Sequence, residues 1–265
     1  MTDIQFEKKL ITIKTSEEIE IMREAGKILA GIMAEVSAKI KPGIATEYLE
    51  EAALALISKH KDKPSFKGYK GGAGLAGKLF PSALCVSINE ELVHCVPSER
   101  VLKEGDIVSL DLGIFYNGFH SDMAITVLVG KVSLEAQRLI VATKKALKRG
   151  ISKAMVGNTF GDIANAVQRH IEGQGFTVIK EFCGHGIGRN LHEEPQIPNY
   201  GKRGEGERIK EGMVFCLEPM AAIGDWKTKK AKDDFGFQMA DNSLCAHFEH
   251  TIAITKIGFH ILTEL

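Results

Sequence analysis

The sequence predicts an α+β fold in which one domain is built from two similar halves. Both halves show the same order of elements: a helix, a glycine stop, a second helix and then strands, as expected after an internal duplication. No Pro- or Ser-rich linker divides the chain. We therefore expect a single domain over residues 1–265, with pseudo-twofold halves at about 15–130 and 131–265 and a site between them.

In the first half, a capping box indicates where the first helix begins. Glu18 follows Thr15 by three residues, the spacing at which the two side chains satisfy each other's backbone N–H groups. Apolar residues then recur at helical spacing as far as Lys41-Pro42-Gly43, which stops the helix. The pattern next predicts a helix over 46–60, an exposed Lys- and Gly-rich loop over 61–77, and strands over 83–88, 107–116 and 119–129.

The second half repeats this order. The pattern predicts a helix over about 133–155, a stop at Gly157, a helix as far as about residue 172, and strands over 177–179, 213–217 and 248–255. Aligning Gly43 with Gly157 places Leu49 on Ile163. Because such matches are few, the shared order of elements is the better indication of a duplication.

Charge and composition exclude several classes of protein. Lys plus Arg (34) equals Asp plus Glu (34), so no overall field favours nucleic acid or an anionic membrane. The N-terminus is polar and the first helix lacks the roughly 18-residue apolar run of a membrane span, so we expect no signal peptide and no transmembrane helix. We expect the Lys-rich segments 59–63 and 227–232 to be solvated; contact with ribosomal RNA is the alternative for them.

The cysteines indicate a reducing compartment. They are odd in number, scattered, and form no C-x-x-C pair: Cys85, Cys95, Cys183, Cys216 and Cys245. This pattern is typical of unpaired thiols and not of a disulfide framework. We therefore expect a cytoplasmic protein.

The segment 109–124 carries the first candidate site residues. Asn117-Gly118 between strand-forming residues is a strong hairpin signal. If these two residues form the turn, Asp111 lies opposite Ala124, and Asp122 lies on the same face, roughly 7 to 8 Å from Asp111 at the backbone. Two carboxylates aimed at one point repel each other unless a proton or a cation is shared, and a metal pair is a natural neutraliser. From this segment alone, two exposed aspartates on a hairpin remain an equal alternative.

Three further side chains add to this pair. His185 lies in the glycine-rich run Gly184-His-Gly-Ile-Gly188, Glu218 ends an apolar strand, and Glu249 lies inside a strand-like run. A lone His in such a loop is more often structural, and a Glu in an apolar strand usually faces solvent. All five together are hard to explain as solvated residues. The set is rich in oxygen, which favours harder divalent ions over a structural zinc site; Cys183 is a conceivable ligand but is more simply a small buried hydrophobe.

At this point the motifs resemble a known family. They run from about Thr15 to the C-terminus: Cys85-Val-Ser-Ile-Asn-Glu90, Gly118-Phe-His-Ser-Asp122, Cys183-Gly-His-Gly-Ile-Gly188, His192-Glu-Glu-Pro195, Glu218-Pro-Met220 and Phe248-Glu-His-Thr251. The chain resembles the methionine aminopeptidases of the pita-bread metallopeptidase family. The short interval between His192 and Glu218 is similar to the bacterial type I class. The resemblance implies a duplicated pita-bread fold with a curved antiparallel sheet covered by helices.

The resemblance also implies a ligand set and a chemistry. Asp111 would hold one metal ion, Asp122 and Glu249 would bridge two, and His185 and Glu218 would complete the other side. The two ions (Co, Mn, Fe or Zn) would activate the water that attacks the first peptide bond, and Glu218 would move its proton to the leaving amine. The implied substrates are the N-termini of nascent polypeptides, from which a monomeric enzyme would remove the initiator methionine.

Other residues are assigned to the substrate by the same resemblance. His94 matches a histidine that faces the substrate amine and the leaving group, and His192 matches one that hydrogen-bonds near the scissile carbonyl. The small apolar methionine pocket is implied at four positions: Phe80, Cys85, Leu191 and Phe235.

The chain departs from the family pattern in three ways. Cys95 follows His94 where the family usually has Gly, Leu191 and Phe235 stand at pocket positions that are usually different bulky or aromatic residues, and 70–78 is similar to an added Gly-rich loop, more simply a surface insertion than a lid. These departures concern the shape of the pocket and leave the implied chemistry intact.

Two alternatives stay open at the level of sequence. An Xaa-Pro aminopeptidase or dipeptidase would share the fold and the ligands, but such enzymes tend to follow the second Asp with Thr-Arg, whereas here Met123-Ala124 follows Asp122. A non-catalytic peptide-binding module of this fold would be expected to have lost ligands, and all five are present. A test of both alternatives is whether the chain cleaves peptides that begin with methionine or with a residue before proline.

Overall fold

A computed structural model describes residues 10–70 and 77–265 of the chain. The described part contains these helices: α1 (Ser16–Ser37), α2 (Thr46–Lys59), α3 (Leu134–Ile151) and α4 (Phe160–Gly173). Its strands are β1 (Lys63–Pro64), β2 (Leu84–Ile88), β3 (Glu91–Val93), β4 (Ile107–Tyr116), β5 (Phe119–Leu128), β6 (Thr177–Val178), β7 (Cys183–Gly186), β8 (Glu193–Pro198), β9 (Val214–Leu217), β10 (Met220–Ala222), β11 (Thr228–Lys230), β12 (Phe237–Met239), β13 (Cys245–His247), β14 (Glu249–Thr255) and β15 (Gly258–Ile261). None of the described helices combines the length and the apolar character that crossing a bilayer requires.

A nine-stranded sheet forms the centre of the molecule. Its strand order is β1-β4-β5-β14-β9-β7-β8, with β2 also paired to β4 and β15 to β14. The pairings are antiparallel, as predicted. The two halves of the chain meet where β5 pairs with β14, so a hairpin from the first half continues directly into the sheet of the second.

The two halves match in detail at the glycine stops. Gly43 has φ +90° and its N–H donates to the carbonyl of Leu102 (2.8 Å); Gly157 has φ +95° and its N–H faces the carbonyl of Ile209 in the same way (3.4 Å). Two residues further on, each chain segment forms an isolated bridge, Ala45 with Val101 and Thr159 with Arg208. The residues around Gly43 and Gly157, which the sequence analysis aligned, thus make equivalent contacts.

Helix α1 begins at the predicted capping box. The Thr15 hydroxyl accepts from the N–H of Glu18, and the Glu18 carboxylate accepts from the N–H of Thr15. The helix ends at Ser37, four residues before the Lys41-Pro42-Gly43 stop, and the chain continues to Ile40 through short i→i+3 bonds. Pro42 disfavours the helical conformation at Lys41, so the helical turns cannot continue past Ile40.

The helices cover one face of the sheet in each half. Buried residues of α1 and α2, such as Leu29 and Leu49, pack with Leu110 and Leu112 of β4. In the second half α3, α4 and β9 share a second cluster that includes Ile163 and Phe215. The covered face takes the apolar side chains, which leaves the opposite face of the central strands for polar ones.

The segment predicted as an exposed loop over 61–77 is partly buried, which corrects that prediction. Ser65 and Phe66 are buried, and β1 pairs with the end of β4. Phe66 fits there because Gly113 opposite has no side chain: a Cβ at Gly113 would lie 2.9 Å from the Phe66 ring. The Gly-rich insertion expected over 70–78 falls, except for its ends, outside the described residues.

Candidate active site

The aspartate hairpin has the predicted register. Asn117 and Gly118 form the turn, with φ +46° and +90°, and Asp111 pairs with Ala124 while Gly113 pairs with Asp122. Glycine is favoured at the second turn position because it adopts a positive φ without steric cost. Both aspartates are buried on the face of the sheet that the helices do not cover.

Strand β14 adds a third carboxylate to the same row. Glu249 pairs with Ala124, so Asp111 and Glu249 flank that alanine on neighbouring strands and Asp122 lies two residues before it on the same face. Ligand atoms of Asp111, Asp122 and Glu249 all lie within 4.8 Å of one another. The register of three strands therefore brings three carboxylates to one point.

His185 and Glu218 come from β7 and the end of β9. The Nε2 atom of His185 lies 3.6 Å from Oε1 of Glu218 and 4.0 Å from Oε1 of Glu249. His185 Nδ1 lies 3.0 Å from the carbonyl oxygen of Gly186, which only accepts, so Nδ1 carries the proton and the Nε2 lone pair faces the carboxylates. This is the tautomer that a metal-binding imidazole needs.

The glycines around His185 let neighbouring backbone approach closely. A Cβ at Gly184 would overlap the carbonyl oxygen of Cys216, and a Cβ at Gly186 would overlap that of Glu194. A side chain at either position would push β7 away from its neighbours and carry His185 with it. The glycine-rich motif is therefore a requirement of the site geometry.

Within the described part of the chain, no Lys or Arg forms an ion pair with the buried carboxylates of the cluster. Burial raises the pKa of Asp111 to about 7, although a hydrogen bond with Asp122 acts in the opposite direction. Burial also raises the pKa values of Asp122, Glu218 and Glu249 well above their usual range, with the charge of neighbouring carboxylates as the next cause. Oxygen atoms of Asp111, Asp122 and Glu249 are buried without a hydrogen-bond partner among the described residues. Buried polar atoms normally have partners, so these orphaned oxygens and the imidazole lone pair beside them fit divalent metal ions.

Three residues next to this cluster were missed by sequence reasoning. The Thr251 hydroxyl donates to the carbonyl of Asp122 (2.7 Å) and accepts from its N–H (3.1 Å), which fixes the backbone of that aspartate. Cys216 lies beside Glu249 and contacts Thr251, but burial raises the pKa of its thiol well above the usual range, so the thiol stays protonated. His247 is buried with its Nε2 atom 3.7 Å from Oε2 of Glu218. Only Thr251 had a signal, as part of the Phe248–Thr251 motif.

A cleft of about 480 Å³ opens beside the carboxylates. It brings together all five predicted ligands, His94, His192, and three of the predicted pocket residues, Phe80, Cys85 and Leu191. Phe235 stands one layer back and packs edge-on against Phe80, with 5.8 Å between the ring centroids. Two aromatic side chains from the segment predicted as an exposed loop, Phe66 and Tyr69, also line the cleft.

His94 follows β3 and has a strained backbone, with φ +60°. Its ring lies edge-on to Phe182 and Phe237, and burial lowers its pKa to about 4, so the imidazole is neutral near pH 7. The next residue, Cys95, leaves no room at Gly236: a Cβ there would overlap its Sγ and lie 2.9 Å from its Cα. Cys95 stands where the family usually has Gly, and its side chain fits because Gly236, before β12 on the facing hairpin, has no side chain.

His192 lies between β7 and β8 on the opposite side of the cleft. Its ring contacts that of His185, with centroids 4.4 Å apart, and its Nδ1 lies 2.8 Å from the Tyr69 hydroxyl. The next residue, Glu193, forms a buried ion pair with Lys14 (2.8 Å) and accepts from the N–H of Asn190 (3.1 Å). The segment that precedes α1 therefore holds the chain just after His192 through Lys14 and Glu193.

Comparison with known proteins identifies the family. A family model described as metallopeptidase family M24 matches residues 20–256. The chain belongs to this family. Members are metallopeptidases, which agrees with the carboxylate and histidine cluster in the cleft.

Relatives within M24 confirm the resemblance to the methionine aminopeptidases. Methionine aminopeptidase 1 of Bacillus subtilis (strain 168) is 45% identical over 256 residues, covering 97% of this chain and 100% of that protein. The methionine aminopeptidase of Aquifex aeolicus is 45% identical over 260 residues, covering 96% and 99%. A crystal structure of methionine aminopeptidase from Thermotoga maritima has a TM-score of 0.92 and 42% identity, covering 97% of this chain and 100% of that one. This M24 chain is a metallo-aminopeptidase.

More distant solved structures share the fold alone. Prolidase from Pyrococcus furiosus has a TM-score of 0.75 at 24% identity, and the match covers 96% of this chain but 65% of that one. The curled antiparallel sheet with its helices is therefore the pita-bread fold, as predicted.

Proposed function

We propose that the chain removes the N-terminal methionine from newly made proteins by hydrolysing the first peptide bond with two divalent metal ions. The observation that carries the proposal is the juxtaposition of a carboxylate and imidazole cluster with an apolar pocket in one cleft. The likeness to methionine aminopeptidases over nearly the whole chain supports the same activity.

The cluster provides enough ligands for two ions. Asp111 would hold one ion, Asp122 and Glu249 would lie between two, and His185 with Glu218 would complete the second. When bound, the ions supply positive charge that lowers the pKa of a water molecule in the cleft. They would also neutralise the four carboxylates, beside which residues 10–70 and 77–265 provide no Lys or Arg ion pair.

The chain's own side chains then handle the proton and the substrate. Glu218 is the carboxylate that would accept a proton from the attacking water and deliver it to the leaving amine, since it lines the cleft and is only partly buried, whereas the other three carboxylates are buried. His94, neutral near pH 7, would hydrogen-bond the substrate amine or the leaving group. His192, on the other side, would hydrogen-bond near the scissile carbonyl.

The pocket favours an unbranched apolar side chain. Phe80, Cys85 and Leu191 are buried and belong to one apolar cluster that also includes Phe66. A flexible thioether chain fits such a surface through shape and apolar contact. We expect the enzyme to be a monomer that acts on nascent N-termini in the cytoplasm. For the Lys-rich segments 59–63 and 227–232, the hypothesis is that one of them contacts the ribosome.

The proposal is tested with the metal-stripped protein and short peptides. Mn²⁺, Fe²⁺, Co²⁺ or Zn²⁺ is added in turn to Met-Ala-Ser, norleucine-Ala-Ser, Ile-Ala-Ser and Ala-Pro-Ala, and products are read by mass spectrometry. We expect metal-dependent release of methionine and of norleucine, which has the same unbranched shape, and little cleavage of the β-branched peptide.

Each other outcome points elsewhere. Cleavage of Ala-Pro-Ala alone would move the chain to the proline-specific M24 enzymes. Binding of the Met peptide without cleavage under any metal would favour the non-catalytic peptide-binding module.

A further inference from the structure

We propose that Tyr69 is a positioning residue whose hydroxyl fixes the tautomer of His192, so that this imidazole presents Nε2–H to the substrate. The inference rests on the proposed function, in which His192 faces the scissile carbonyl. It concerns which of two neighbouring histidines donates a proton and which offers a lone pair.

The contact between the two side chains is direct. The Tyr69 hydroxyl lies 2.8 Å from Nδ1 of His192, and the rings are tilted by 52° with centroids 5.3 Å apart. In the part of the chain that the structure describes, Nδ1 of His192 is the hydrogen-bond partner of this hydroxyl. A phenol O–H is a stronger donor than a neutral imidazole N–H, and an imidazole lone pair is a stronger acceptor than a phenol oxygen. The hydroxyl therefore donates to Nδ1, and the proton of the neutral imidazole lies on Nε2.

His185 has the opposite arrangement a few ångströms away. The two imidazole rings lie edge to face, with centroids 4.4 Å apart. The Gly186 carbonyl forces the proton of His185 onto Nδ1 and leaves Nε2 as an acceptor towards the carboxylates. The Tyr69 hydroxyl thus places the proton of His192 on Nε2, whereas that of His185 is on Nδ1. The cleft therefore contains one imidazole that can bind a metal ion and one that can donate a hydrogen bond.

Both partners of the contact are held from elsewhere in the fold. Tyr69 is fixed by two backbone bonds around Phe80, from Gly68 N–H to the Phe80 carbonyl (2.8 Å) and from Phe80 N–H to the Tyr69 carbonyl (3.0 Å). The backbone after His192 is fixed through Glu193 and its buried partner Lys14. With both backbones anchored, the hydroxyl contact acts on the ring orientation and tautomer of His192.

The chemistry of peptide hydrolysis requires this tautomer. Negative charge develops on the carbonyl oxygen as water attacks, and a preorganised N–H donor stabilises that charge. A lone pair at the same position would repel the oxygen. The effect belongs to the transition state, so its loss lowers kcat more than it changes KM.

The tautomer can be observed without measuring activity. Long-range ¹H–¹⁵N spectra of ¹⁵N-histidine-labelled protein, metal-free and loaded with diamagnetic Zn²⁺, report which ring nitrogen of His192 carries the proton; the signal is assigned by its absence in His192→Asn. The variant is Tyr69→Phe, which keeps the ring in the cleft. The matched control is Tyr116→Phe, which removes a hydroxyl that donates to Glu24 on the outer surface (2.9 Å).

We expect the wild type and Tyr116→Phe to carry the His192 proton on Nε2, and Tyr69→Phe to give a mixture of tautomers. With Met-Ala-Ser, Tyr69→Phe should lower kcat roughly 3- to 10-fold, as expected for one lost hydrogen bond, with KM little changed. Circular dichroism melting of all variants checks that the fold is retained.

Two results would overturn the inference: a wild-type His192 protonated on Nδ1, or a Tyr69→Phe protein in which tautomer or kcat is unchanged. Failure of the proposed function is distinguishable, because a wild type that cleaves no methionine peptide would fail the assay while the spectra still report the tautomer.

Discussion

Asp111, Asp122 and Glu249 are carried by three neighbouring strands, each paired on both sides, whereas His94 and His192 stand on short segments beside the ends of strands. We call the first group, with His185 and Glu218, the acidic wall of the cleft, and the second group, with Tyr69 and Phe80, the substrate wall. Strand register alone places most of the acidic wall. The substrate wall is placed by individual hydrogen bonds and ion pairs.

The difference reflects what each wall has to do. Metal ions require several ligand atoms at fixed mutual distances, which adjacent strands provide with little freedom. A substrate wall has to fit a side chain and release a product, and short segments held by a few specific contacts allow that. We therefore expect damage to the acidic wall to act through metal and damage to the substrate wall to act through rate or local stability.

The largest expected effect is in the acidic wall. Asp122→Asn removes the carboxylate that lies between Asp111 and Glu249. We expect activity on Met-Ala-Ser to fall to background and metal to bind far more weakly, measured by isothermal titration calorimetry and by the gain in Tm on adding Mn²⁺. The matched control is Asp162→Asn at the start of α4, outside the cleft. An active Asp122→Asn protein with full metal content would contradict the ligand assignment.

In the substrate wall, His94→Ala should separate rate from metal binding. We expect kcat to fall roughly 10²- to 10⁴-fold, the usual range for a lost acid–base or hydrogen-bonding group, with metal affinity unchanged. His60→Ala, at the exposed end of α2, is the control and should behave as the wild type. Loss of metal together with activity would place His94 in the acidic wall instead.

The buried pair behind His192 tests whether the substrate wall also contributes to stability. Lys14→Met leaves Glu193 buried without its cation, and we expect the free energy of unfolding to fall by about 3 to 5 kcal/mol. The control is Arg23→Met, which breaks an exposed pair with Glu20 and should cost less than about 1 kcal/mol. Urea unfolding curves compare the variants.

The Lys14–Glu193 pair also predicts how the free energy of unfolding depends on pH. Burial raises the pKa of Glu193, but the hydrogen bonds from Lys14, Thr12 and Asn190 outweigh it and hold the pKa below its ordinary value of 4.5. Burial also lowers the pKa of Lys14 from 10.5, and both shifts are compatible with a charged pair at neutral pH. A lowered carboxyl pKa stabilises the fold above 4.5 and the gain is lost as pH falls, so the difference between wild type and Lys14→Met should narrow below about pH 4.5. A difference that is constant from pH 7 to pH 4 would refute this.

The smallest effect is expected where Cys95 meets Gly236. Gly236→Ala places a methyl group against the Cys95 side chain and should cost roughly 1 to 3 kcal/mol by overpacking. In a Cys95→Gly background the same substitution should cost less, because the thiol is gone. Thermal melting of the two single variants and the double variant measures this coupling. Equal costs in both backgrounds would mean that the two residues are independent.

The sequence was most informative where structure is local. The capping box at Thr15, the Asn117-Gly118 turn and the register of Asp111 with Ala124 depend on neighbouring residues, and all were predicted correctly. The short strands next to His94 and His192 were not, because strands of three to six residues are too short for a clear alternation pattern and depend on distant partners. Phe66 and Tyr69 were missed for a related reason: their Lys- and Gly-rich surroundings indicate solvent, whereas a gap at Gly113 on a distant strand buries Phe66.

The sequence indicated more of the acidic wall than of the contacts that hold the substrate wall in place. The carboxylates and His185 could be singled out from the sequence because carboxylates in apolar strands and a histidine between glycines are unusual. The contacts of Thr251 with Asp122 and of the Tyr69 hydroxyl with His192 could not, because each joins residues more than a hundred positions apart. The motif that contains Thr251 gives no indication of its partner.

The Asn117-Gly118 turn has a consequence for how this chain can change over time. Because side chains alternate along a strand, inserting or deleting one residue between Asp111 and the turn would rotate that aspartate to the helix-covered face unless a bulge absorbed the change. Point substitutions in the hairpin are therefore the accessible route of variation, while single-codon length changes are not. Insertions and deletions are tolerated instead at places such as the segment after Tyr69, where they leave the number of residues between Asp111 and Asp122 unchanged.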